Sequence, residues 1–142
     1  MSRESIKNLP PLVEIFNPKG TKYAFLGLGI LLAVIWVVAW FALVDYLLLY
    51  YSGLMSGVDT TLMLGVFMGI VGVAFFITTI AKDKRGLTYG VYAGLAGMVA
   101  SGLLLIQSGL LAVLVAGVSL FGGYNGGSLG ELMQQVKSRR RR

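Results

Sequence analysis

Asp45 is the one ionisable residue inside a long apolar run of this chain. A carboxylate at the centre of a membrane-spanning helix costs roughly 2.5–3.5 kcal/mol on insertion scales. Its presence there points to an ion or proton site, or to an anchor for a partner's cation. Asp45 also stands beside Tyr46 and late in its run. A place next to the far headgroups, where the cost is much smaller, is the competing reading. Proton transfer along a pathway needs a relay of polar groups. Thr78, Thr79, Ser101, Gln107, Ser108 and Ser119 are the available ones, and their spacing draws no clear path.

Most other reactive side chains are missing. The chain has no Cys, so thiolate, disulfide and zinc–thiolate chemistry are excluded. It has no His, so there is no imidazole base and no imidazole ligand for haem. The expectation is a chain with no enzyme activity, no catalytic residue, no metal site and no cofactor. Trp36, Trp40, Phe41, Phe67, Phe75 and Phe76 could line a pigment or quinone pocket. Without His to ligate such a group, they read as packing or lipid-facing residues.

Two patterns suit contact rather than catalysis. Gly86, Gly90 and Gly94 recur every four residues, Gly97 and Ser101 continue a parallel row, and Gly65 with Gly69 gives another small-xxx-small pair. Such rows let helix backbones approach closely in lipid, where no hydrophobic force draws helices together. They serve either the chain's own bundle or contact with other copies or subunits. The carboxyl end carries Lys137, Arg139, Arg140, Arg141 and Arg142. This run could bind anionic lipid headgroups, an acidic partner or the phosphates of a nucleic acid.

These residues must be positioned by membrane helices. Of the 142 residues, 56% are hydrophobic and 13% charged, against about 25% charged in an average soluble domain. Uncharged runs cover Tyr23 to Val44, Thr60 to Ala81 and Gly86 to Gly130, and a span needs roughly 20 apolar residues. The pattern predicts an all-α, polytopic integral membrane protein with four transmembrane helices. Residues 1–22 read as an interfacial arm, 23–124 as the bundle and 125–142 as a basic amphipathic tail. The third span is expected over about 87–106 and a short fourth over about 110–124, with Gln107-Ser108-Gly109 as the turn between them. The glycine-rich segment Gly122 to Gly127 reads as a loop. Ser128 and Glu131 then have capping-box spacing before Leu129, Leu132, Met133 and Val136, which predicts a short separate helix.

The net charge of +6 is concentrated in the first 22 residues, in Lys82 to Arg85 and in the tail. Four spans put all three clusters on one side, and the bias of Lys and Arg towards the cytoplasmic side makes that side the cytoplasm. The expected function is a non-catalytic structural or accessory subunit of an oligomeric membrane assembly, packing through its small-residue faces. Its partners would be the bilayer, other membrane subunits or copies of itself. A small channel or transporter using Asp45 is one alternative. A self-assembling viral shell, envelope or pilin-like protein, with the arginine tail on nucleic acid, is the other.

Overall fold

In hydrocarbon every backbone N–H and C=O must find its partner within the protein, so apolar segments of this length fold as helices. A computed structural model describes residues 15–51 and 57–139. It contains four long helices: α1 (Tyr23–Tyr50), α2 (Val58–Ala81), α3 (Gly86–Leu104) and α4 (Leu110–Arg139). All four are long and apolar enough to cross a membrane. A 3-10 turn at Ile106–Ser108 joins α3 to α4. It is closed by Gly109, whose φ of 53° suits a residue without a side chain. The α2–α3 hairpin turns at Lys82 to Arg85, as its charge implies. At the start of α2, Gly57 holds the capping position and Asp59 lies in the first turn.

The fourth helix departs from the sequence reading. Gly122 to Gly127 is helix, not loop, and α4 continues without a break for 30 residues. At about 1.5 Å per residue it is roughly 45 Å long, ample for a bilayer core of about 30 Å. There is no separate amphipathic helix after residue 125, and Ser128 opens no capping box. Glycine costs about 1 kcal/mol per residue in a helix relative to alanine, and this penalty makes the segment resemble a loop. Inside a bilayer a loop is far costlier than that penalty, and glycine returns close packing that larger residues forbid.

The core runs along one face of α1, α2 and α4, whereas α3 is buried on most sides over residues 88–91. In α1 the buried positions are Gly29, Ala33, Val37, Phe41 and Val44, three or four residues apart. Val37, Val66, Ile70 and Val115 are fully buried where the helices meet. A second cluster, Ile77, Ala81 and Tyr89, closes the end of the bundle near the hairpin.

Hydrogen bonds show which termini share an end. The backbone N–H of Lys22 donates to the Tyr89 hydroxyl at 2.7 Å, and Lys22 Nζ donates to the Ala81 carbonyl at 2.9 Å. The Arg85 guanidinium donates to Asn17 O at 3.1 Å, and the Tyr92 hydroxyl to Phe16 O at 2.9 Å. Leu87 N–H donates to Glu131 Oε1 at 2.9 Å. The start of α1, the α2–α3 turn and the last turns of α4 therefore lie together. Residues 1–14, 52–56 and 140–142, which include most of the expected arm and three of the tail arginines, lie outside the described residues.

The shared end makes a direct labelling prediction. Single cysteines at Lys84 and Lys137 of this Cys-free chain should react with an impermeant reagent from the same side. Cysteines at Asp59 and Gln107 should react from the other. Labelling of positions 84 and 137 from opposite sides would rule out a membrane orientation with four complete crossings.

Candidate functional site

The small residues singled out in the sequence lie inside this chain. Gly90 faces α4 so closely that a methyl group added there would overlap Gly123 O and come within 2.9 Å of Gly127 Cα. Added at Gly94, it would sit 3.1 Å from Ser119 O and 3.2 Å from Leu120 Cα. At Gly86 it would sit 2.8 Å from Gly127 O. Gly97 abuts the Ser119 side chain and Ile70. The Ser119 hydroxyl donates to Gly94 O at 3.0 Å across the same seam. Ser101 is fully buried and donates to Met98 O within its own helix. The row on α3 is thus already occupied by α4.

α4 brings a second small-residue ridge that the sequence reading missed. Gly122, Gly126 and Gly130 face α2, where an added methyl would be 3.0 Å from Phe67 O, 2.7 Å from the Ala74 Cβ and 2.5 Å from the Thr78 Cβ respectively. The helix is wedged between α2 and α3 by two rows of residues with almost no side chain. The signal was present as four-residue spacing at 119, 123 and 127 and at 122, 126 and 130.

Gly65 and Gly69 do a different job. They make room for indoles, not for a neighbouring backbone: a methyl at Gly65 would overlap the Trp40 ring, and one at Gly69 the Trp36 ring. The two indoles lie parallel, 6.2 Å between centroids. Trp36 Nε1 donates to Gly65 O at 3.0 Å, whereas Trp40 Nε1 is buried without a partner among the described residues. Beside them Leu32, Trp36, Met68, Gly72 and Phe76 form an open apolar groove between α1 and α2.

Asp45 is exposed on α1, one residue beyond buried Val44, and has no hydrogen-bond partner among the described residues. It does not face Thr78, Ser101 or Ser119, which are buried and donate to Ala74 O, Met98 O and Gly94 O. Among the described residues no cluster of carboxylates could hold a metal ion. Lys137 and Arg139 end α4 and are exposed.

No family model, curated protein or solved structure matches this chain.

What the arrangement offers chemically is therefore read from its own geometry. Among the described residues the interior is apolar or self-bonded apart from Trp40 Nε1, and the Asp, Glu, Lys and Arg side chains sit at the two ends. Lys and Arg occupy the end that holds the hairpin, while Asp45 and Asp59 mark the other.

Proposed function

We propose that this chain is a non-catalytic structural or accessory subunit of an oligomeric membrane assembly. The observation that carries this reading is the self-contained interior. Thr78, Ser101 and Ser119 each donate to a carbonyl of the bundle. Those bonds turn the three hydroxyl protons to backbone carbonyls, so none of the three is free to pass a proton to the next. The chemistry left on the chain lies on its outside, where a protein acts by contact.

The small-residue rows of α3 and α4 are spent within the chain, so contact with other subunits falls to other faces. α1 is the natural one. It uses a single stripe for its own bundle and turns Leu31, Ile35 and Val38 outward. The same face ends in Asp45, a carboxylate with no partner among the described residues.

Mass measurement of the protein in mild detergent tests the proposal. One copy weighs 15.2 kDa, and the expected particle holds several copies or further subunits. A homogeneous monomer, in detergent and in lipid nanodiscs alike, would overturn it. Asp45→Asn gives the companion test. The substitution is expected to leave particle mass and pH-driven proton flux in liposomes within two-fold of the parent. A flux that is present in the parent and lost in a normally folded Asp45→Asn protein would put the channel or transporter reading first.

A further inference from the structure

The two described carboxylates at the hairpin end, Asp83 and Glu131, are both committed to internal bonds. Asp83 accepts from the Tyr89 hydroxyl and, at 3.3 Å, from Arg85 N–H. Glu131 accepts from Leu87 N–H. Among the described residues neither forms an ion pair with a neighbouring cation. Lys22 and Arg85 are likewise bonded to carbonyl oxygens rather than to a described carboxylate. Lys19, Lys82, Lys84, Lys137 and Arg139 are exposed around them. The result is a rim of cations drawn from three separate stretches of chain, and Arg140 to Arg142 follow in the sequence.

The height of this rim identifies its ligand. Tyr23, adjoining Lys22, is 66% exposed, Ile80 near Lys82 is 39% exposed, and Val136 beside Lys137 is 53% exposed. On α1, α2 and α4 the exposed apolar surface therefore runs to within two residues of a cation. A bilayer seated on that surface would bring its phosphates level with the ammonium and guanidinium groups. A nucleic acid would gain nothing from the apolar side chains that adjoin them.

Lys82 supplies an independent sign. It ends α2 with φ 53° and ψ 24°, the only described non-glycine residue with positive φ. Glycine is the usual occupant of that left-handed position. The left-handed residue ends α2 and turns the chain into the hairpin. A glycine would serve that turn, and the exposed Lys82 side chain makes no hydrogen bond among the described residues, so what the lysine adds is a cation at the surface.

We propose that the rim formed by Lys19, Lys82, Lys84, Lys137 and Arg139 binds the phosphate headgroups of anionic phospholipids. Binding is read on the full chain in mild detergent by native mass spectrometry and by thermal resistance. The probes are phosphatidylglycerol, phosphatidylcholine, inorganic phosphate and a short DNA duplex. Phosphatidylglycerol should bind more tightly than phosphatidylcholine, and added salt should narrow the gap. A membrane-surface cation contributes roughly five-fold. The triple variant Lys82→Gly, Lys84→Gln, Lys137→Gln should therefore lose about 100-fold of the preference. Lys82→Gly alone should lose about five-fold while melting no earlier than the parent. Because that change relieves strain, weaker binding cannot be a folding defect. Inorganic phosphate should stabilise neither protein. Equal binding of the two lipids, or a triple variant that keeps the preference, would overturn the proposal. Stabilisation by the DNA duplex without a lipid preference would overturn it in favour of nucleic acid.

Discussion

Gly123→Ala should destabilise the bundle more than any other single-methyl addition to α4. The new methyl would overlap Gly90 O and lie 2.8 Å from the Cα and N of Gly94. These are backbone atoms in a rigid helix and cannot swing aside. Relief requires α3 and α4 to separate, and the attraction between them is short-range dispersion that fades within an ångström. Overpacking ordinarily costs about 1–3 kcal/mol, and a backbone-to-backbone clash belongs at or above the top of that range. Gly117→Ala in the same helix is the control. Nothing lies within 4 Å of its added methyl, and replacing glycine by alanine in a helix gains up to about 1 kcal/mol. The two substitutions are chemically identical and should move thermal unfolding in detergent in opposite directions. The same reasoning ranks Gly94→Leu far above Leu104→Ala, since Leu104 is half-exposed and its truncation leaves no cavity. Equal melting of Gly123→Ala and the parent would mean that α3 and α4 do not touch along this row.

Much of this fold was legible from charge and hydropathy. The four long apolar helices, the basic hairpin, the polar turn at Gln107 to Gly109 and the row on α3 follow from one-dimensional patterns. The end of α4 did not. Local signals there favour a loop: five glycines between Gly122 and Gly130, an Asn, and a serine three residues before a glutamate. Each rule weighs a residue against water or against its own segment. At Gly126 the deciding neighbours are Val71 and Ala74, more than fifty residues away. Trp36 and Trp40 show the same limit. Their four-residue spacing puts them on one face, but only the folded chain matches them to Gly69 and Gly65. For the candidate sites, the sequence separated the charged ends and picked out Asp45. It could not tell that Asp83 and Glu131, the described carboxylates near the basic residues, are engaged internally.

Glu131 shows what that engagement does for the fold, and its substitutions should rank Gln, then Ala, then Lys in increasing damage. The first N–H groups of a helix have no partner within it, and the capping position of α3, Arg85, supplies no side-chain bond. Glu131 fills the gap from α4, accepting from Leu87 N–H at 2.9 Å. Its charge also faces the positive end of the α3 dipole. Gly86 makes the approach possible, because a methyl there would lie 2.6 Å from Glu131 Cγ. One turn further on, Gln134 Nε2 donates to Thr78 O at 2.5 Å, near the end of α2. The last turns of α4 thus supply the ends of both hairpin helices. Glu131→Gln keeps an acceptor oxygen and loses only the charge, a cost of about 0.3–1 kcal/mol. Glu131→Ala leaves the Leu87 N–H without its acceptor, a loss of about 1–3 kcal/mol. Glu131→Lys loses the acceptor and also sets a cation against the positive helix end, so it should be worst. Thermal unfolding gives the ranking, and hydrogen exchange at the Leu87 amide locates it. A glutamate that served only to lower the charge of the basic rim would make Gln and Ala equivalent and leave Leu87 exchange unchanged. A difference between those two variants, with faster exchange at Leu87 in the alanine protein, is therefore the signature of the cross-helix cap.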